Sequence, residues 1–259
     1  MTTSPNFSRF LTVVAALSMS VGTAFAQHEH HGDAPAKSEQ PARHKDAAPA
    51  AKQGERVGDP YALETCPISG KKLGAMGDPV VKLYDGREVR FCCPGCPPKF
   101  EKDLATSLAK LDEKIIKDQS PLYPLMTSVV TGKDLPEKPY ELVYGNRLIR
   151  LGAESEKADF LKDAKKYLAE LDKAVVAAQG KDYPLKTCPV SKDELGGDMG
   201  KPVDVVVAGR LIRLCCKDCK KDIEKEPAKF VAMVDAARKH HDKPDHDEND
   251  EHHDHKHGG

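Results

Sequence analysis

The chain has 259 residues, of which 39% are hydrophobic and only 5% aromatic, with no tryptophan, so a large aromatic core is excluded. Its 40 basic and 41 acidic residues are interleaved and leave a formal net charge of −1. This balance argues against a nucleic-acid-binding surface, because such a surface needs a basic stripe.

The first 26 residues have the three-part pattern of a secretory signal peptide. Arg9 precedes an apolar run over residues 10–17, and Ala24-Phe25-Ala26 is an A-x-A cleavage site. The run is too short and too rich in Ser and Thr for a membrane span. We therefore predict cleavage after Ala26, a periplasmic or secreted location, and no membrane span in the mature protein. Such a compartment is oxidising, so disulfides compete with metal as the interpretation of every cysteine.

Two flanking segments lack a periodic apolar pattern and are predicted to be disordered, residues 27–60 and residues 240–259. All eleven histidines lie in these tails. Imidazoles alternating with carboxylates favour weak, exchangeable capture of Zn, Cu or Ni, whereas the alternative is a solvated polar tail. The predicted low-affinity metal ligands are His28, His30, His31, His240, His241, His252, His253, His255 and His257.

Between the tails, one unit of about 60 residues occurs three times, and this period predicts a tandem repeat rather than one large domain. We define copy one as residues 61–119, copy two as residues 120–180 and copy three as residues 181–239. Copies one and three have four cysteines each, which account for all eight in the chain: Cys66, Cys92, Cys93, Cys96, Cys188, Cys215, Cys216 and Cys219. Copy two has Ser128, Gly152, Ala153 and Glu156 at the matching positions. A unit this small usually needs a bound metal, disulfides or packing against its neighbours to be stable. Copy two has no cysteines, so it is expected to rely on packing.

Each copy is predicted to contain an opening turn (the knuckle), a β-hairpin and a helical stretch, which gives an α+β fold. The strand pairs are residues 80–84 with 87–91, 140–144 with 147–151, and 203–207 with 210–214. Apolar residues then recur at helical spacing, as at Phe100, Leu104, Leu108, Leu111 and Ile115 in copy one. In copy three Pro227 predicts a short helical turn, a break and a longer helix. The late cysteines follow the second strand, so they are expected to meet the first cysteine at the ends of the hairpin.

Four sulfurs gathered in this way can bind Zn²⁺ tetrahedrally or a softer ion such as Cu⁺. Cys93 and Cys96 form a C-x-x-C pair, while three residues separate Cys92 from Cys96. The same spacings recur in copy three. Thiolates near a helix N-terminus are favoured by the helix dipole, which prepares them for metal.

At these residues the chain resembles the TRASH and YHS families of small metal-binding domains. Their pattern is an early Cys-Pro, a hairpin, and a late C-x-x-x-C at the start of a helix. In this sequence it falls on Cys66, Cys92, Cys96 and on Cys188, Cys215, Cys219. The resemblance covers about residues 61–239. It implies three tandem treble-clef-like zinc-binding units and a role in sensing, carrying or handling heavy metals.

The sequence departs from this pattern at the knuckle. Treble-clef knuckles of the C-P-x-C-G type have a second cysteine where this chain has Ser69-Gly70 and Ser191-Lys192. Either the extra cysteine of each vicinal pair, Cys93 or Cys216, replaces that ligand, or each site has three thiolates and one open position. An open or trigonal site suits Cu⁺ and metal hand-over.

The sequence therefore predicts an exported, non-enzymatic metal-binding protein that acts as a carrier, buffer or resistance factor for Zn²⁺ or Cu⁺. The expected partner is a metal transporter or another exported metal-handling protein. One alternative is a disulfide-stapled module in which only the tails bind metal. A weaker alternative is thiol–disulfide exchange at residues 93–96, but copy three has Lys217-Asp218 between the same cysteines, and no thioredoxin-type βαβ pattern precedes either pair.

Overall fold

The computed structural model describes residues 54–198 and 200–241, and it has the predicted α+β class. The strands are β1 Val80–Tyr84, β2 Arg87–Phe91, β3 Tyr140–Tyr144, β4 Arg147–Leu151, β5 Val203–Val207 and β6 Arg210–Leu214. The α-helices are α1 Pro97–Glu101, α2 Leu104–Gln119, α3 Lys157–Lys162, α4 Ala164–Gln179, α5 Lys220–Lys225 and α6 Pro227–His241. Short 3-10 helices span Ser120–Leu122 and Glu154–Glu156. None of the helices in the described ranges has the length and apolar character needed to cross a bilayer.

Each strand pairs with its sequence neighbour, which gives three separate two-stranded antiparallel sheets. The three predicted strand pairs are confirmed with their bounds. Both turn residues have positive φ in every hairpin, as in Ala208-Gly209 at 50° and 73°. This is the type I′ turn, whose twist matches that of the paired strands. The second strand of each pair is the more buried one, so the residues that follow it start from within the core.

The helical stretch is divided in all three copies, whereas the sequence predicted a break only at Pro227. In copies one and two the break falls at Asp103 and Asp163, whose φ angles of −140° and −145° are not helical. Each aspartate caps the longer helix, since its carboxylate accepts a hydrogen bond of 3.2 Å from the backbone N–H of Thr106 or Lys166. The result is one short and one long helix after each hairpin.

A segment just before copy one bonds to the turns of all three hairpins. Residues 54–60 were predicted as the end of a disordered linker, but the backbone N–H of Val57 donates to the Gly86 carbonyl at 2.8 Å. The N–H of Asp59 donates to the Gly145 carbonyl at 2.6 Å, and its carboxylate accepts from the Ala208 N–H at 2.6 Å. The linker prediction is therefore wrong at this end, because these bonds fix the segment against the three turns.

Glycine is required where this segment meets the second hairpin. A Cβ on Gly145 would lie 2.0 Å from the carbonyl oxygen of Val57, which is far inside any real contact. Its φ of +49° adds a second reason against a side chain. The absence of a side chain thus permits the close backbone approach on which the Asp59 N–H bond depends.

The carboxylate of Asp59 also pairs with Arg147, the first residue of β4. The guanidinium donates through Nε at 2.7 Å and through Nη2 at 3.1 Å, and its Nη1 reaches Asp172 of α4 at 2.8 Å. The Arg147 side chain is only 3% exposed. A buried charge of this kind is stable only while it stays paired and hydrogen-bonded.

The long helices of copies one and two each contact the next copy through the glutamine with which they end. The amide of Gln119 donates to the Asn146 carbonyl at 2.8 Å and accepts from the Leu148 N–H at 2.9 Å. Gln179 makes the same pair of bonds to Gly209 and Leu211 of copy three, at 2.8 and 2.9 Å. Copy two therefore contacts both neighbours, which is the support its sequence was expected to need.

Asp59→Asn is predicted to lower the free energy of unfolding by about 3 kcal/mol, because it removes the more buried of the two carboxylates that compensate the Arg147 guanidinium. Urea denaturation of the reduced, metal-free protein measures this change. The matched control is Asp159→Asn, whose exposed ion pair with Lys162 is expected to contribute less than about 0.5 kcal/mol. Equal stabilities of the two variants would contradict the role given to Asp59.

Candidate metal centres

Three thiols of copy one converge where the knuckle, β2 and α1 meet. Cys66 sits in a tight turn in which its N–H donates to the Lys71 carbonyl and its carbonyl accepts from the Gly70 N–H, both at 2.9 Å. Cys92 directly follows β2, and Cys96 occupies the position just before α1. The three sulfurs all lie within 4.8 Å of one another, and all three residues are buried. We call Cys66, Cys92 and Cys96 the first inner set.

Copy three builds the same arrangement from Cys188, Cys215 and Cys219, the second inner set. The Cys219 sulfur lies 3.9 Å from that of Cys188 and 3.8 Å from that of Cys215. In its knuckle turn the left-handed position is held by Lys192 at a φ of 72°, where copy one has a glycine. The turn thus forms without glycine, and the thiols converge in both copies.

The sulfur spacing fits ligands around one ion. An ion bound tetrahedrally with metal–sulfur bonds of about 2.3 Å separates its sulfurs by about 3.8 Å. Within the inner sets, the sulfur of Cys92 lies 3.8 Å from that of Cys96, and the sulfur of Cys219 lies 3.8 and 3.9 Å from those of Cys215 and Cys188. All other inner pairs lie within 4.8 Å. All eight cysteines are free thiols in this structure. Each inner set could hold a metal ion.

The vicinal cysteines lie beside the inner sets. The Cys93 sulfur is 3.6 Å from that of Cys96, and the Cys216 sulfur is 3.7 Å from that of Cys219. Neither belongs to the mutually close groups, and both are half-buried rather than buried. We call Cys93 and Cys216 the outer thiols. The structure thus gathers six of the eight predicted ligands into two sets of three and places one outer thiol against each set.

The knuckle thiols ionise more readily than an ordinary cysteine. Burial acts to raise the pKa of Cys66, but hydrogen bonds from Ser69, Cys92 and Ile68 outweigh it and lower the pKa to about 6. The same balance lowers the pKa of Cys188 to about 7. By contrast, burial and the neighbouring thiols raise the pKa of Cys96 to about 12 and also raise that of Cys219. A cation among the sulfurs would reverse this penalty, since it stabilises every thiolate it contacts.

Two serines that sequence reasoning named only as departures from the family pattern contact the inner sets. The Ser69 hydroxyl lies 3.2 Å from the Cys92 sulfur, and the Ser191 hydroxyl lies 3.2 Å from the Cys215 sulfur. Each hydroxyl also accepts from a backbone N–H two residues later, at 3.3 and 3.4 Å. The signal was present in the sequence, because both copies have serine three residues after the first cysteine.

Copy two has a polar cross-link where the other copies have thiols. The carboxylate of Glu156 accepts hydrogen bonds from the Ser128 hydroxyl, from Thr131 Oγ1 at 3.3 Å and from the Gly152 N–H at 3.3 Å. Ser128, which aligns with Cys66, is 1% exposed. In addition to the packing against its neighbours that was expected, copy two therefore has hydrogen bonds by which Glu156 joins its knuckle to the start of its helix.

Most of the predicted histidine ligands lie outside the described residues, so metal capture by the tails stays a prediction. His240 is described and exposed, and α6 continues to His241. These two residues were predicted to begin the disordered tail, but they form the last part of the helix instead. The helix extends because residues 235–239 contain no breaker, as Pro and Gly are absent from them.

Comparison of the chain with protein-family models, with curated proteins and with solved structures found no match. The resemblance to TRASH and YHS domains therefore stays a prediction from the cysteine pattern.

Proposed function

We propose that the protein is an exported, non-enzymatic heavy-metal-binding protein in which copies one and three each bind one Zn²⁺ or Cu⁺ ion. The observation that carries this proposal is the convergence of three buried thiols, all within 4.8 Å of one another, at equivalent places in two copies. Turn, hairpin and helix follow one another in each copy, and this order supports a treble-clef-like unit of the TRASH or YHS type.

The donor set determines which ions are suitable. Three thiolates match the trigonal preference of Cu⁺, and Zn²⁺ would complete its tetrahedral shell with a fourth ligand at the open position. Both ions prefer thiolate to the hydroxyl and carboxylate groups that replace the cysteines in copy two. Hard cations such as Mg²⁺ and Ca²⁺, which take oxygen ligands, do not fit the inner sets.

A carrier, buffer or resistance factor is favoured because the site is duplicated within one chain. Two equivalent sites raise the number of ions carried per molecule. The signal-peptide pattern supports action outside the cytoplasm, where the His-rich tails would collect ions weakly and the inner sets would hold them. A metal transporter or another exported metal-handling protein is the partner that this role requires.

The proposal is tested by counting ions and thiols in the mature protein, purified without reductant and dialysed against a weak competitor to remove tail-bound metal. We expect two ions per chain and thiols that react only after chelation. Cys66→Ser combined with Cys188→Ser is expected to lose both ions, because each change removes a buried ligand. Wild-type protein that has neither metal nor reactive thiols would overturn the proposal in favour of disulfides.

Copy two provides a second test, since its matching positions predict that a third site can be built. Ser128→Cys, Gly152→Cys and Glu156→Cys together are expected to raise the count from two ions to three per chain, as measured by elemental analysis. The three atoms nearest to a new Cβ at position 152 all belong to the Glu156 side chain, which the variant removes.

The matched control carries alanine at the same positions, namely Ser128→Ala, Gly152→Ala and Glu156→Ala. It adds a Cβ at position 152 and removes the Ser128 and Glu156 polar groups, as the cysteine variant does, but it adds no sulfur. It is therefore expected to bind two ions. A folded triple-cysteine variant that also binds only two ions would show that thiols at these three places do not make a site.

A further inference from the structure

The inner sets are shielded from solvent, so an ion needs an accessible ligand to reach them. The inner thiols of copy one are 0%, 3% and 4% exposed, and those of copy three are 0%, 3% and 7% exposed. An ion arriving on a carrier molecule is held by that carrier's own ligands. The carrier cannot approach sulfurs that are covered by the hairpin and helix.

The outer thiols are placed to receive such an ion. Among the cysteines, all of which lie in the described ranges, Cys93 and Cys216 are the two that are not buried. Each contacts one inner sulfur, Cys96 at 3.6 Å or Cys219 at 3.7 Å. An ion bound to the outer sulfur is therefore one ligand exchange away from the inner set.

The surface beside each outer thiol is open to a donor. Pro94 and Gly95 follow Cys93, and Lys217 and Asp218 follow Cys216, and all four are exposed. In copy two the outer position is also changed, to the exposed Ala153. The outer thiol is thus present in the two copies that have an inner set and absent from the copy that lacks one.

Building on the proposed function, we propose that Cys93 and Cys216 are exchange ligands through which a soft ion passes between an external thiolate donor and the inner set. In the first step the outer thiolate forms a bond to the ion and one donor thiolate leaves. In the second step Cys96 or Cys219 binds the ion as the next donor bond breaks. In the third step the other two inner thiolates bind the ion as its bond to the outer thiolate breaks. Each cysteine that binds as a thiol releases its proton to water, and neither the ion nor sulfur changes oxidation state.

This role differs from that of a fixed fourth ligand in its kinetics. An exchange ligand is bound only in the intermediate, so it speeds loading and release by the same factor and leaves the affinity unchanged. A fixed ligand stabilises the loaded state, so its loss speeds release and weakens binding. The two roles therefore predict opposite changes in the release rate.

The test uses the full mature chain with Cys93→Ser and Cys216→Ser, loaded from a low-molecular-weight thiol complex of Zn²⁺ or Cu⁺. Stopped-flow absorbance with a chromophoric chelator measures loading and release, and competition measures affinity. We expect two ions per chain, an affinity within about threefold of wild type, and both rates reduced at least about tenfold, because the relay through a tethered ligand is lost. Pro94→Ala with Lys217→Ala is the control for surface change and is expected to keep the wild-type rates.

Two results would overturn the exchange role while leaving the metal sites intact. Faster release with weaker binding in the variant would show that the outer thiols are fixed ligands. Unchanged rates would show that they take no part in loading or release. Wild-type protein that binds no ion at its cysteines would overturn the proposed function and the exchange role together. The wild-type stoichiometry therefore distinguishes the two failures.

Discussion

The carboxylate of Asp59 is the contact on which the arrangement of the three copies depends. It pairs with the buried guanidinium of Arg147 in copy two and accepts the Ala208 N–H of copy three, while the adjacent backbone bonds to the turn of copy one. A buried ion pair must keep its geometry, because separating it would leave a buried charge unpaired. Fixing the three turns also fixes the second strands, and the late cysteine clusters of copies one and three, which start at Cys92 and Cys215, follow two of those strands.

The fold does not depend on the thiol clusters, because the contact between knuckle and helix takes two chemical forms in this chain. In copy two the carboxylate of Glu156 accepts three hydrogen bonds at that place, whereas copies one and three place three sulfurs there. The same backbone thus accommodates an oxygen-based link or a thiol cluster. Copies one and three are also joined directly, since Arg90 donates to the carbonyls of Glu224 and Lys225 at the end of α5.

Local patterns predicted the local structure, and long-range contacts escaped them. The hairpins and the convergence of the cysteines followed from period-two strands, two-residue turns and the spacing of the cysteines. The ion pair of Asp59 could not be predicted in this way, because Asp59 lies in a stretch of linker-like composition and its partner Arg147 is 88 residues away. The helix breaks at Asp103 and Asp163 were missed because apolar spacing continued across them, although aspartate is a common N-cap. The sequence showed that Glu156 aligns with Cys96. It did not show that the Glu156 carboxylate accepts three hydrogen bonds, because that depends on where Thr131 and Gly152 lie in the fold.

The central claim is that buried thiolates, three from each of two copies, are the ligands of the bound ion. X-ray absorption at the metal edge of the mature protein, loaded with two equivalents of Zn²⁺ or Cu⁺, tests it most directly. The account predicts a first shell dominated by sulfur at about 2.3 Å, with at least three sulfurs per ion. A shell of nitrogen and oxygen at about 2.0 Å would place the ions on histidine and carboxylate instead and would contradict the account.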